Sequence, residues 1–116
     1  MPSDASPLAL GDIVLVPFPF TDQSSNKRRP AVVISTRSYN ETRPDVILMP
    51  VTSQLRSEAR AGDMLVDEWE AAGLLKPSAI KPVIATLERS LVVRRLGSLG
   101  SDDRAALKRG LKDIVG

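Results

Sequence analysis

The apolar residues of this chain fall into short, largely β-branched runs cut off by proline or polar residues, a spacing that restricts it to folds built from short strands. Ile13-Val14-Leu15-Val16 is closed by Pro17 and Pro19, neither of which can sit centrally in a hydrogen-bonded ladder. The run predicts a strand, then a long, polar, mobile loop over residues 17–28 that carries Asp22 and Asn26 and leads into Lys27, Arg28 and Arg29. Pro30 disfavours helix at the preceding residue, and Ala31-Val32-Val33-Ile34 reads as a buried strand, so Arg29 stands at a strand entrance. Residues 46–51 form a third strand ending at Thr52-Ser53, and residues 63–66 a fourth. Asp67 is placed to cap a short helix over residues 68–72 that Gly73 ends. Residues 78–87 and 91–96 supply further strands, with Pro82 marking an edge or a bulge in the first of them.

The last element reads as a helix. Ser101 is a good N-cap, Asp102 and Asp103 fall in the positive first turn, Lys108, Arg109 and Lys112 lie toward the negative end, and Leu107, Leu111 and Ile114 form an apolar stripe. That stripe must be buried against something, and the strands before it predict a mainly β fold: a small curved sheet or barrel of antiparallel strands with short helices and a C-terminal helix. With 116 residues and 42% hydrophobic composition the chain fits one domain over residues 10–116. Residues 1–9, rich in Pro, Ser and Ala without a periodic apolar face, read as a flexible N-terminal arm.

Composition narrows the chemistry. There is no Cys and no His, which removes disulfides, thiolate nucleophiles, zinc-thiolate sites and the commonest general base. No metal and no cofactor is expected, and any reaction must rest on Arg, Lys, carboxylates or hydroxyls. Aromatics make up only 3%, so base stacking on aromatic platforms is not the main recognition device. The net charge of +2 is small, so a nucleic-acid site would have to be local. No apolar run is long enough to cross a bilayer, and the start Met1-Pro2-Ser3-Asp4-Ala5-Ser6-Pro7 has neither a basic nor an apolar leader region. The expected location is cytoplasmic, with no membrane partner.

Several ordered segments resemble one family. Gly11-Asp12-Ile13-Val14, then Lys27-Arg28-Arg29-Pro30-Ala31-Val32-Val33-Ile34-Ser35, then Pro50-Val51-Thr52-Ser53 are similar to the signatures of MazF/PemK toxins. Leu74-Leu75-Lys76-Pro77-Ser78-Ala79-Ile80-Lys81 and Thr86-Leu87-Glu88-Arg89-Ser90 match in the same order, so the resemblance runs from about Leu10 to the C-terminus. It implies an SH3-like barrel with a C-terminal helix, a symmetric homodimer, and metal-independent, sequence-specific cleavage of single-stranded RNA that arrests translation and growth. It also implies a cognate antitoxin protein whose C-terminal segment lies where RNA would bind.

Metal-free cleavage of RNA uses the 2'-hydroxyl as internal nucleophile, leaves 2',3'-cyclic phosphate and 5'-hydroxyl ends, and requires a dianionic phosphorane to be stabilised while two protons move. Arg29 suits the charge, because its planar fork can donate two hydrogen bonds to phosphate oxygens; the resemblance places the family's catalytic arginine here. Thr52 matches the second active-site position, where a hydroxyl donates without carrying charge, and Ser53 can assist. Lys27 and Arg28 are candidate RNA-binding residues contacting phosphates. Proton transfer stays open: Lys81 can hold phosphate or protonate the leaving oxygen, and Glu88 and Asp12 remain as bases. The Kid/PemK branch has an Arg-x-Asp arrangement where this chain reads Lys81-Pro82-Val83, so that branch's carboxylate is absent. Arg94-Arg95 and residues 56–60 read as solvated faces, and Trp69 as core or interface material. Two other functions compete: a CcdB-like gyrase poison, against which the tail Ile114-Val115-Gly116 argues, and a non-catalytic SH3-like binding module.

Overall fold

In a computed structural model that describes residues 7–17, 27–55 and 63–116, the short runs become seven strands. These are β1 (Asp12–Pro17), β2 (Arg28–Val33), β3 (Asp45–Thr52), β4 (Met64–Val66), β5 (Ser78–Ile80), β6 (Ala85–Glu88) and β7 (Arg94–Ser98). Two helices, α1 (Arg37–Thr42) and α2 (Ser101–Val115), and a 3-10 turn at Arg89–Leu91 complete the described elements. All pairings are antiparallel, in the order β4-β5-β3-β2-β1-β7. The sixth strand joins β3 as well. β3 is long enough to serve several neighbours: Asp45 to Leu48 pair with β6, whereas Val51 and Thr52 pair with β5. The sheet therefore curls into a half-barrel, the mainly β class expected from the strand spacing.

Consecutive residues of the central strands are buried on opposite faces. Ile13, Val32, Met49 and Val51 pack with Leu99 and Leu107 on one side. Val14, Val16, Ala31, Val33, Val46 and Leu48 form a second cluster on the other. Coverage of both faces explains why these strands read as unbroken apolar runs rather than as alternating patterns. Each fully buried Val or Leu of this kind contributes about 1.5–3 kcal/mol.

The structure departs from the sequence expectations at several places. Residues 78–87 are two strands, since the chain leaves the ladder at Lys81, and Pro82 has no N–H to continue it. The strand expected over residues 91–96 is shifted to Arg94–Ser98, behind the 3-10 turn. Residues 67–73 make hydrogen-bonded turns rather than a helix, closed by Gly73 at φ 92°. The turn is capped from outside, the Asp67 and Glu68 N–H groups donating to the carboxylate of Asp103 in α2 at 3.1 and 2.9 Å. Gly100, not Ser101, is the N-cap of α2. α1 was not anticipated; Thr36 caps it by accepting from the Tyr39 N–H at 3.3 Å, and its Asn40 is fully buried. Trp69 is partly buried against the first cluster, in keeping with the core reading.

The expected loop over residues 17–28 lies largely outside the described residues, as does the arm up to Ser6. Beyond that point the chain is tied down: the Leu8 carbonyl accepts from Asn40 Nδ2 at 2.8 Å, and the Ala9 N–H donates to Asp12 Oδ2 at 2.9 Å. Among the described residues no helix is long and apolar enough to cross a membrane.

Candidate functional site

The order β3-β2-β1-β7 lays four strands side by side, and the segment from Gly73 to Ser78 runs over them from β7 back to β3. Two anchors fix this arch. At one end the chain packs backbone to backbone on β7: a Cβ on Gly73 would collide with the Leu96 carbonyl, and one on Gly97 with the Ala72 carbonyl. At the other end Ala79 pairs with Thr52. Beneath the arch is a cavity of about 560 Å³. Its apolar lining comes from Leu15, Pro30, Val51, Leu74 and Leu96.

The polar lining brings together residues far apart in sequence. Arg28 and Arg29 come from β2, Thr52, Ser53 and Gln54 from the end of β3, Lys76 and Ser78 from the arch, and Arg94 from β7. Ala31 pairs with Pro50, and continuing that antiparallel register two residues sets Arg29 across from Thr52. Arg29 is exposed and Thr52 half-buried. The Thr52 hydroxyl oxygen accepts from the Gln54 N–H at 3.1 Å, which leaves its own proton to donate outward. Ser78 is buried, and its hydroxyl donates to the Lys76 carbonyl at 2.8 Å, holding the arch at the residue that carries the Lys76 ammonium. No carboxylate is among the described lining residues.

The sequence candidates divide accordingly. Arg28, Arg29, Thr52 and Ser53 share the cavity; Lys27, Lys81, Glu88 and Asp12 do not line it. Lys81 is paired with Asp63 at 3.4 Å. Glu88 pairs with Asp45 at the opposite end of β3 from Thr52, roughly 23 Å away at ~3.3 Å per residue. Asp12 is occupied as a turn residue, accepting from the Ala9 N–H and from Ser98 Oγ at 2.9 and 2.7 Å and meeting Arg95 at 3.2 Å. Lys81 and Glu88, like Asp12, therefore stand outside the cavity that Arg29 and Thr52 line. Residues 56–60 lie outside the described residues.

Strand alternation adjusts the roles of the cations. Pro30 and Arg94 both pair with Leu15, so Arg28, two residues from Pro30, shares a strand face with the cavity floor, while Arg29 pairs with Val16 and reaches the cavity from the sheet's end. The same alternation separates Arg94, which lines the cavity, from Arg95, which turns to Asp12. Reading Arg94-Arg95 as one solvated pair missed this. The available signal was parity with Leu96, uninterpretable until the register with β1 is known.

A curled antiparallel sheet carrying a cleft lined by Arg28, Arg29, Lys76 and Arg94 defines the class: a small β protein with a cationic cleft. Comparison gives the family. The model of the PemK-like, MazF-like toxin of type II toxin-antitoxin systems matches residues 9–115, and the chain belongs to that family. It is similar in structure to the toxin MazF-mt6 of Mycobacterium tuberculosis, with TM-score 0.71 and 20% identity over 89% of this chain and 94% of that one. It also resembles a MazE-MazF structure from Deinococcus radiodurans, with TM-score 0.71 and 21% identity over 97% and 98% of the two chains. A third likeness is to an endoribonuclease in complex with its cognate antitoxin from a mycobacterial species, with TM-score 0.72 and 14% identity over 95% and 94%. No curated protein sequence matches significantly. These likenesses show the fold, and the family match makes the chain a toxin of a toxin-antitoxin system.

Proposed function

We propose that this toxin is a metal-independent endoribonuclease that cuts single-stranded RNA, mRNA included, at short sequences and so arrests translation and growth, and that its cavity is the active site. The carrying observation is that guanidinium groups from β2 and hydroxyl groups from the end of β3 line one cleft. In the proposed reaction the ribose 2'-hydroxyl gives its proton to water and attacks the adjacent phosphorus, and the bond to the 5'-oxygen of the next nucleotide breaks as that oxygen takes a proton from water. Arg29 and Arg28 donate charge-assisted hydrogen bonds to the non-bridging oxygens of the phosphorane. Thr52 donates its hydroxyl proton to the same group, with Ser53 beside it. Cations and hydroxyls, with no carboxylate among the described lining residues, favour charge stabilisation over paired acid-base catalysis.

The working unit is proposed to be a cytoplasmic homodimer whose antitoxin competes with RNA for the cleft; that part rests on the family and on related structures described as MazE-MazF and antitoxin complexes. The test is incubation of purified protein with single-stranded RNA in EDTA, wild type beside Arg29→Ala. Cleavage with 2',3'-cyclic phosphate and 5'-hydroxyl ends, lost in the variant, is expected. Intact RNA of every sequence tried, together with inhibition of gyrase supercoiling, would move the chain to the gyrase-poison class. Light scattering should give twice the 12.5 kDa chain mass at micromolar concentration.

A further inference from the structure

The cleft holds more positive charge than one scissile phosphate needs. A phosphodiester has a single negative charge and two non-bridging oxygens, whereas Arg28, Arg29, Lys76 and Arg94 all border the cavity, and no carboxylate is among its described lining residues. The four are not evenly placed. Arg28 and Arg29 lie on β2, across from Thr52 on β3. Arg94 lies on β7, on the far side of β1, since Leu15 pairs with Pro30 in one direction and Arg94 in the other. Two strand spacings, about 10 Å, separate the backbones of β2 and β7, and three, about 14 Å, separate Arg94 from Thr52. Lys76 sits midway along the arch, three residues from Gly73, which packs against Leu96 on β7, and three from Ala79, which pairs with Thr52.

We propose that Arg94 and Lys76 form a second phosphate subsite, which binds a flanking, uncleaved linkage of the same RNA strand while Arg29 and Thr52 hold the linkage that is cut. This rests on the RNA-cleavage reading and adds a way of placing the substrate. Anchoring an outer phosphate on the β7 side sets the direction in which the strand crosses the sheet and keeps the scissile group from sliding along the cationic floor. Such contacts fix position and register and carry no base identity. Leu74 and Leu75 precede Lys76 on the arch, on its β7 side, and Leu75 is 93% exposed, so a nucleotide bound there meets aliphatic rather than aromatic surface.

The experiment uses chimeric oligonucleotides with one ribonucleotide at the mapped cleavage site and a neutral methylphosphonate at each outer linkage in turn. Wild-type kcat/KM is expected to fall about ten-fold when one particular outer linkage is neutralised, the size of a lost charged hydrogen bond. In Arg94→Ala the same neutralisation should add less than about a two-fold further loss, because the partner is already gone. Lys76→Ala serves as a second variant on a different element, and thermal melts of both confirm folding. An enzyme indifferent to every outer linkage, or losses that multiply in both variants, would overturn the subsite alone. A wild-type protein that cuts no RNA overturns the cleavage reading and the subsite with it.

Discussion

Arg28 and Arg29 are adjacent in sequence but alternate in direction along β2, so a residue-by-residue comparison separates their tasks. Removing a preorganised donor to a developing oxyanion costs about 10²–10³ in kcat, and Arg29→Ala should fall in that range in single-turnover cleavage. Arg29→Lys keeps the charge and loses the bidentate fork, so it should stay about ten-fold or more below wild type. Should Arg28→Ala instead carry the kcat loss while Arg29→Ala only raises KM, the face shared with Pro30 marks the catalytic arginine. Arg29 and Thr52 stood out in the sequence through the family resemblance, with Pro30 and the end of an apolar run marking where they sit on their strands, and the structure adds that both line the cavity. Arg94 did not stand out, since its direction depends on a partner strand about eighty residues earlier. Away from the cleft, Tyr39 is the chain's single tyrosine and offers a clean optical titration. Its partial burial, and then the hydrogen bond to Asp45 Oδ2 at 3.0 Å, raise the phenol above its ordinary value, with Arg43 opposing. A raised phenol pKa means the folded state holds its proton longer than the unfolded one. The associated stability is complete below about pH 10 and is lost as pH climbs through the folded value. Absorbance at alkaline pH should show phenolate forming later in the native protein than in urea; coincident curves would remove the effect.

At the scale of elements, the arch is held by backbone approach rather than by side chains. Gly73 has φ 92° and no room for a Cβ beside Leu96, and Gly97 has none beside Ala72. Gly97→Ala must push the arch off β7, at a cost of about 1–3 kcal/mol typical of overpacking. It should also lower RNA cleavage, since Lys76 and Arg94 would no longer share a wall. A variant with unchanged melting temperature and activity would show that this approach is not needed. Asp103 is the second joint, joining α2 to the turn over residues 67–73 through two backbone N–H groups. Asp103→Ala leaves both donors without that acceptor, and urea unfolding should register a loss of about 1–3 kcal/mol. This joint explains why residues 67–73 were misread. From sequence, Asp67 looked like a cap and Asp103 like a dipole partner, both local roles; in the fold the carboxylate of one element caps the turn of another. Local propensity does not encode such a long-range exchange. The central strands β1, β2 and β3 were readable because their apolar runs are buried on both faces.

The whole molecule combines a net charge of only +2 with a cleft lined by Arg28, Arg29, Lys76 and Arg94. A broad positive field would give strong, indiscriminate binding to any polyanion; here the charge is concentrated beneath one arch, and distant acids offset it elsewhere. That arrangement sets a ceiling on salt dependence. Single strands release about 0.7 counterion per neutralised phosphate, so if all four cations engage, the slope of log K against log salt is about −3 and no steeper for one cleft. Binding of a non-cleavable 2'-deoxy or 2'-O-methyl strand, followed by fluorescence anisotropy from low to physiological salt, measures it directly. Arg94→Ala should flatten the slope by about 0.7. A slope much steeper than −3 would mean that cations outside the cleft carry the affinity, and a slope near zero that the cleft holds its ligand through apolar contact with Leu74 and Leu75. Duplex DNA of equal length should bind more weakly, because a rigid double helix cannot bend under an arch anchored on both β7 and β3.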